Sequence, residues 1–181
     1  MILVVGATGA LGSEICRRLV TRGQPVCALV RRTADPAKLA HLQAMGVTFA
    51  YGDLKEQTSL AVACQGVHTV ITTATTIDSR QPGDSIEATD LTGQANLVTA
   101  AKAAGVHHFI YTSYAKNFES ADPCPLTVAK RTLEQQVQTS GMRYTILRPG
   151  FFMEVWLSAL LGFDYPNAKA TIYGAGHNQI S

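Results

Sequence analysis

The 181-residue sequence is short of charge: 15 Lys and Arg against 13 Asp and Glu leave a formal net charge of +2, and charged residues make up only 15% of the chain. No basic stripe exists to neutralise a phosphate backbone, which excludes nucleic acid as the main partner. Long apolar runs are missing too, since residues 1–5 and 26–30 fall far short of the roughly 20 that a membrane-spanning helix needs. No membrane span is expected. Nothing resembling a basic and then apolar leader precedes the first strand-like run, so the expected location is cytoplasmic. Cysteine is sparse and scattered: Cys16, Cys27, Cys64 and Cys124 show neither a C-x-x-C pair nor a histidine at zinc-ligand spacing. All four are expected to be ordinary buried or half-buried thiols, with no metal site.

What is present is apolar material, 46% of the chain, enough for one buried core. Short runs rich in apolar and β-branched residues at 2–5, 26–30, 47–51, 68–73, 108–112 and 143–147 predict six strands. Helices are predicted between them at 11–22, 36–45, 57–64, 84–104 and 126–140, with Gly23, Gly46, Gly66, Gly105 and Gly141 following the five in turn, where a left-handed closing residue is wanted. Such alternation predicts an α/β fold, a doubly wound parallel sheet with helices on both faces. The least regular stretch, 75–83, lies at a strand's C-terminal edge, where a loop can cover a ligand.

The strongest chemical signal is Gly6-Ala7-Thr8-Gly9-Ala10-Leu11-Gly12, which follows the first strand and opens the first helix. Gly6 suits the tight turn, Gly9 lets backbone approach a pyrophosphate, and Gly12 lets the helix lie near the sheet. At the end of the second strand, where an acid would bind a ribose diol, stand Arg31 and Arg32 instead. Guanidinium groups there suit a 2′-phosphate, so the expected cofactor is NADP(H); the plainer alternative is a solvated basic loop. After the third strand, Asp53 is placed to accept from an adenine amino group or to cap the next helix, with Leu54 packing on the ring. Thr73, Ala74 and Thr75 end the fourth strand and are small enough to let a nicotinamide ribose pass.

Together V-V-G-A-T-G-A-L-G, L-V-R-R, G-D-L and R-Y-T-I-L-R-P-G (residues 143–150) resemble the NmrA-like group of atypical short-chain dehydrogenases/reductases, over nearly the whole chain. The resemblance implies a Rossmann-like NADP-binding core over residues 1–150. In it Gly6, Thr8, Gly9, Ala10, Leu11 and Gly12 form the phosphate loop, Arg31 meets the 2′-phosphate, and Asp53 with Leu54 meets the adenine. Thr73, Ala74, Thr75 and Pro149 would also border the cofactor. Lys130 matches a lysine that lies beside the nicotinamide and serves as general acid or base, while Ser113 matches the active-site serine region and Tyr114 offers a second hydroxyl. The sequence departs from the wider superfamily at Leu126, where the tyrosine of Y-x-x-x-K would fall. Phe151, Phe152 and Trp156 suit an apolar wall for a flat substrate, or core beneath a lid. The implied function is hydride transfer from NADPH to a quinone or conjugated carbonyl compound. The alternative is a non-catalytic NADP(H)-sensing regulatory or assembly protein with a protein partner. Residues 151–181, with a strand at 170–173 and a turn at 174–178, read as the start of a substrate-side segment that is truncated or minimal.

Overall fold

The six predicted apolar runs pair into one parallel sheet of β1 (Ile2–Val5), β2 (Val26–Val30), β3 (Thr48–Tyr51), β4 (Thr69–Thr72), β5 (His108–Thr112) and β6 (Arg143–Leu147), in the order β3-β2-β1-β4-β5-β6. The structure, a computed structural model, describes residues 1–77, 81–115, 123–150, 152, 154, 157, 159 and 162–171. Strand order reverses between β1 and β4, which opens a crevice at the carboxyl ends of those strands. Helices α1 (Ala10–Thr21), α2 (Pro36–Ala44), α3 (Gln57–Ala63), α4 (Gln94–Ala103) and α5 (Pro125–Thr139) make the crossovers.

Period-two side-chain alternation divides the core into two layers. Val4, Ala28, Val30 and Ile71 face Cys16 of α1 and Leu42 of α2. Leu3, Val5, Leu29, Val70, Phe109 and Tyr111 face Leu60, Leu97, Leu133 and Val137 from α3, α4 and α5. Because β1 and β2 are covered on both faces, their sequences are continuous apolar runs rather than alternating ones. The five glycines that follow the helices all take left-handed φ.

Two expectations need correction. The predicted helix 84–104 is not one α-helix: a π-helical turn, Ile86–Gly93, precedes α4. Ser85 caps it by accepting the Ala88 N–H at 2.9 Å, and the wider turn carries Thr89, Asp90 and Gly93 into the interior. A 3.6-residue apolar pattern carries no mark of such a turn. Cys16, Cys27 and Cys64 are buried as expected, but Cys124 is exposed, because it is the extended residue just before α5.

Among the described residues no helix is long and apolar enough to cross a membrane. The chain divides into two units, Met1–Arg148 and Pro149–Ser181. In the second, β7 (Phe163–Asp164) pairs antiparallel with β8 (Lys169–Ala170) around a 3-10 turn, Tyr165–Asn167. The strand expected at 170–173 thus begins earlier, at Lys169; the turn expected at 174–178 lies outside the described residues.

Candidate active site

Gly6 leaves β1 with φ +85, and a Cβ there would lie 2.7 Å from both the Ala74 nitrogen and Thr73 Oγ1. The exit of β4 therefore closes directly on the glycine loop, with Thr73 and Ala74 against Gly6. Gly12 has even less room: a Cβ would fall 2.2 Å from the Gly6 carbonyl oxygen and 2.8 Å from Ala7 Cα. The contact that requires Gly12 is thus with the loop backbone, not with the sheet itself. Gly9 differs, since a Cβ there would meet only the Gly6 oxygen, at 3.4 Å. It starts α1, whose first turn carries no side-chain cap and no acidic residue. The leading N–H groups of Ala10, Leu11 and Gly12 are left for an anion, as a dinucleotide's pyrophosphate requires. Beside the loop is a pocket of about 250 Å³, lined by Ala7, Thr8 and Ser13 on one side and Ala37, Lys38 and His41 on the other. That Lys38 borders the loop was not legible, because α2 approaches the loop only in the folded chain.

The two arginines after β2 diverge. Arg32 is exposed and its guanidinium lies 5.5 Å from the Tyr51 ring centroid. Arg31 donates through Nη1 to Asp84 Oδ2 at 2.7 Å; its other donors have no partner among the described residues. Lys55 Nζ donates to the second Asp84 oxygen at 2.5 Å and lies 3.5 Å from Asp53 Oδ2. Burial pushes the Asp84 carboxyl up, yet hydrogen bonds from Lys55 and Arg31 outweigh it and hold it far below the usual carboxylate range. Asp53 does not cap α3, whose N-cap is Glu56; its Oδ1 instead accepts the Lys55 N–H at 2.9 Å. Leu54 is buried in the core, close to Gly93, where a Cβ would come within 2.9 Å of it.

Lys130 is buried in the second turn of α5, only 5% exposed. Its Nζ lies 3.9 Å from Asp90 Oδ1, donates to the Thr112 carbonyl at 3.4 Å, and sits 5.2 Å from the Tyr111 ring centroid. Burial lowers its pKa, and the Asp90 charge partly opposes that. Asp90 Oδ2 accepts both the Thr76 N–H, at 3.0 Å, and the Thr76 hydroxyl, at 2.6 Å. Among the described residues, Asp90 Oδ1, the Tyr111 hydroxyl and Thr75 Oγ1 are buried without a hydrogen-bond partner. Asp90 and Tyr111 are the neighbours of Lys130, and orphaned polar atoms beside a buried lysine are unusual in a purely structural core and mark a place for water or ligand.

Ser113 is buried at the end of β5 and belongs to a neighbouring ion network. Its Oγ accepts from Arg131 Nη1 at 3.1 Å and donates to Glu134, which also receives Arg131 at 2.5 Å and Arg148. Tyr114 is half-buried; its hydroxyl bonds Thr127 and its ring lies 5.3 Å from the Arg131 guanidinium. Of the residues expected beyond β6, Pro149 and the exposed Phe152 belong to the second unit, while Phe151 and Trp156 lie outside the described residues. Among the described residues no group of three or more His, Cys, Asp or Glu is gathered to hold a metal ion.

A glycine loop leading into an uncapped helix at the switch point of a doubly wound parallel sheet defines a Rossmann-like protein. Comparison narrows the class: the NmrA-like family model matches residues 1–178, and the chain belongs to that family. It is 40% identical over 156 residues, 85% of the chain, to the NAD(P)H azoreductase of Xenophilus azovorans, of which it covers 49%. It is 37% identical over 152 residues to the photosystem II assembly factor Ycf39 of Cyanophora paradoxa, covering 83% of the chain and 46% of that protein. The NADPH complex of quinone oxidoreductase QOR2 from Escherichia coli superposes with a TM-score of 0.68 at 30% identity, over 87% of the chain and 51% of that structure. The chain spans about half the length of these relatives.

Proposed function

We propose that this chain binds NADP(H) across the β1–β4 crevice and serves an NADPH-dependent reductase acting on a quinone or conjugated carbonyl compound. The observation that carries the reading is the combination of an α1 N-terminus without a side-chain cap and Arg31 after β2, which spends one donor on Asp84 and has no other partner among the described residues. The cradle fits the nucleotide, since Gly6 and Gly12 have no room for a Cβ while Gly9 has it on its outer side. Similarity to an NAD(P)H azoreductase and a quinone oxidoreductase supports the chemistry.

The nucleotide, when bound, supplies the hydride. Lys130 holds a proton at Nζ, and the burial that lowers its pKa eases release of that proton to a substrate oxygen. Asp90, fixed through Thr76, retains the ammonium beside the Thr112 carbonyl. Ser113 acts through Arg131 and Glu134 to shape the end of β5, and Tyr114 borders the same region. Loss of NADPH absorbance against a panel of quinones and enones tests the reading, with Lys130→Ala expected to slow turnover and spare nucleotide binding. No oxidation with any acceptor, together with tight NADPH binding, would overturn it.

A second reading has its own support, namely Leu126 at the place of the superfamily's tyrosine and the similarity to Ycf39. There the chain binds NADP(H) without turnover and changes its affinity for a protein partner with nucleotide state. Partner binding measured with NADPH, with NADP⁺ and without nucleotide separates the two.

A further inference from the structure

Asp84 arrives from the connection after β4, yet its carboxylate reaches the ends of β2 and β3, on the other side of β1. Its side chain is 2% exposed, whereas those of Arg31 and Lys55, one on each carboxylate oxygen, are 30% and 28% exposed. The anion therefore lies behind and the two cations lie in front. Gln81 tightens the arrangement: its N–H donates to Asp84 Oδ2 at 3.0 Å, and its side chain bonds the Thr33 hydroxyl at 2.6 Å and the Thr33 carbonyl at 3.3 Å. Two cations bridged by a single carboxylate are close enough to be bridged by a single phosphate.

We propose that Lys55 is a second direct ligand of the nucleotide's 2′-phosphate and that Asp84 is the positioning residue that holds Lys55 and Arg31 together as one anion-reading pair. This rests on the NADP(H) reading above. Asp84 takes one donor from Arg31 and leaves the remaining fork to the solvent side, where a phosphate has three terminal oxygens to offer. An unfastened arginine and lysine would spread over many rotamers, and ordering them would then be charged to each binding event. Asp53, at 3.5 Å from Lys55 Nζ, limits that lysine from the other side. Discrimination between NADPH and NADH thus depends on a carboxylate 53 residues away in sequence from the arginine it serves.

The test is fluorescence titration of NADPH and NADH against the wild-type chain, Lys55→Gln and Asp84→Asn. Lys55→Gln should weaken NADPH roughly tenfold, the worth of one charge-assisted hydrogen bond, and leave NADH unchanged. Asp84→Asn should narrow the NADPH-to-NADH preference by a similar factor. Equal losses for both nucleotides would show a merely structural role and sink the proposal, as would tighter NADPH binding by Asp84→Asn, which would make Asp84 a competitor of the phosphate. Should Asp84→Asn fail to fold, Lys55→Gln decides alone. Wild-type protein that binds neither nucleotide overturns the NADP(H) reading itself, and this inference with it.

Discussion

Replacing Lys130 by Met removes the ammonium beside Asp90 while keeping the length of the side chain. At 3.9 Å and an effective dielectric of about 20, the pair attracts by roughly 4 kcal/mol before desolvation is subtracted. Asp90 is fully buried, and Thr76 satisfies only one of its oxygens, so the variant strands a carboxylate. A loss of about 3 kcal/mol in unfolding free energy is expected. Asp90→Asn should cost less, about 1–2 kcal/mol, because Lys130 can shed its proton and remain buried as a neutral amine. The double variant should recover a coupling of about 1–2 kcal/mol relative to the sum of the singles. Urea unfolding of all four proteins at neutral pH measures the cycle. A pH series adds a sign: with its folded pKa lowered, Lys130 binds fewer protons folded than unfolded, so Asp90→Asn should gain stability as pH rises toward the unfolded lysine value near 10.4. Additivity within about 0.5 kcal/mol would refute the reasoning, because the two groups would then not be paired in the folded state.

Arg31→Ala should weaken NADPH roughly tenfold and leave NADH nearly unaffected by calorimetric titration, since only NADPH has a 2′-phosphate to lose. Gly12→Ala should cost about 3 kcal/mol in denaturant unfolding and abolish nucleotide binding, because its Cβ would fall 2.2 Å from the Gly6 oxygen. Asp84 and Glu134 both have lowered carboxyl pKa values, against burial, through bonds from Lys55 and Arg31 and from Arg148 and Ser113 respectively. Their stabilisation is complete above the unfolded value near pH 4 and is lost below it; acid unfolding followed by circular dichroism should therefore begin under about pH 4 and be shallower in Asp84→Asn.

Much of this was legible in the linear chain because it depends on local rules. Short apolar and β-branched runs, a crossover helix between each strand and the next, and a glycine at each helix end are sufficient to specify a doubly wound sheet. The loop from Gly6 to Gly12 was equally legible, although only the demand on Gly12 acts between residues six apart, while Gly6 is also confined by Thr73 and Ala74 at the exit of β4. The site's charges were not. Asp84 with Arg31, Asp90 with Lys130, and Glu134 with Arg148 join residues from different crossovers, and no periodicity announces such partners. Lys130 illustrates the division: its place in α5 follows from sequence, but the lowering of its pKa comes from burial, a property of the packed interior. The π-turn that carries Asp90 inward belongs to the same class, because the buried carboxylate is compensated by tertiary partners, hydrogen bonds from Thr76 and the charge of Lys130. The sequence by itself determined the architecture and the phosphate loop, through backbone sterics and apolar periodicity. The tertiary structure alone decided which charges meet, because electrostatic partners are chosen by distance in space and by burial, neither of which is written in the order of residues.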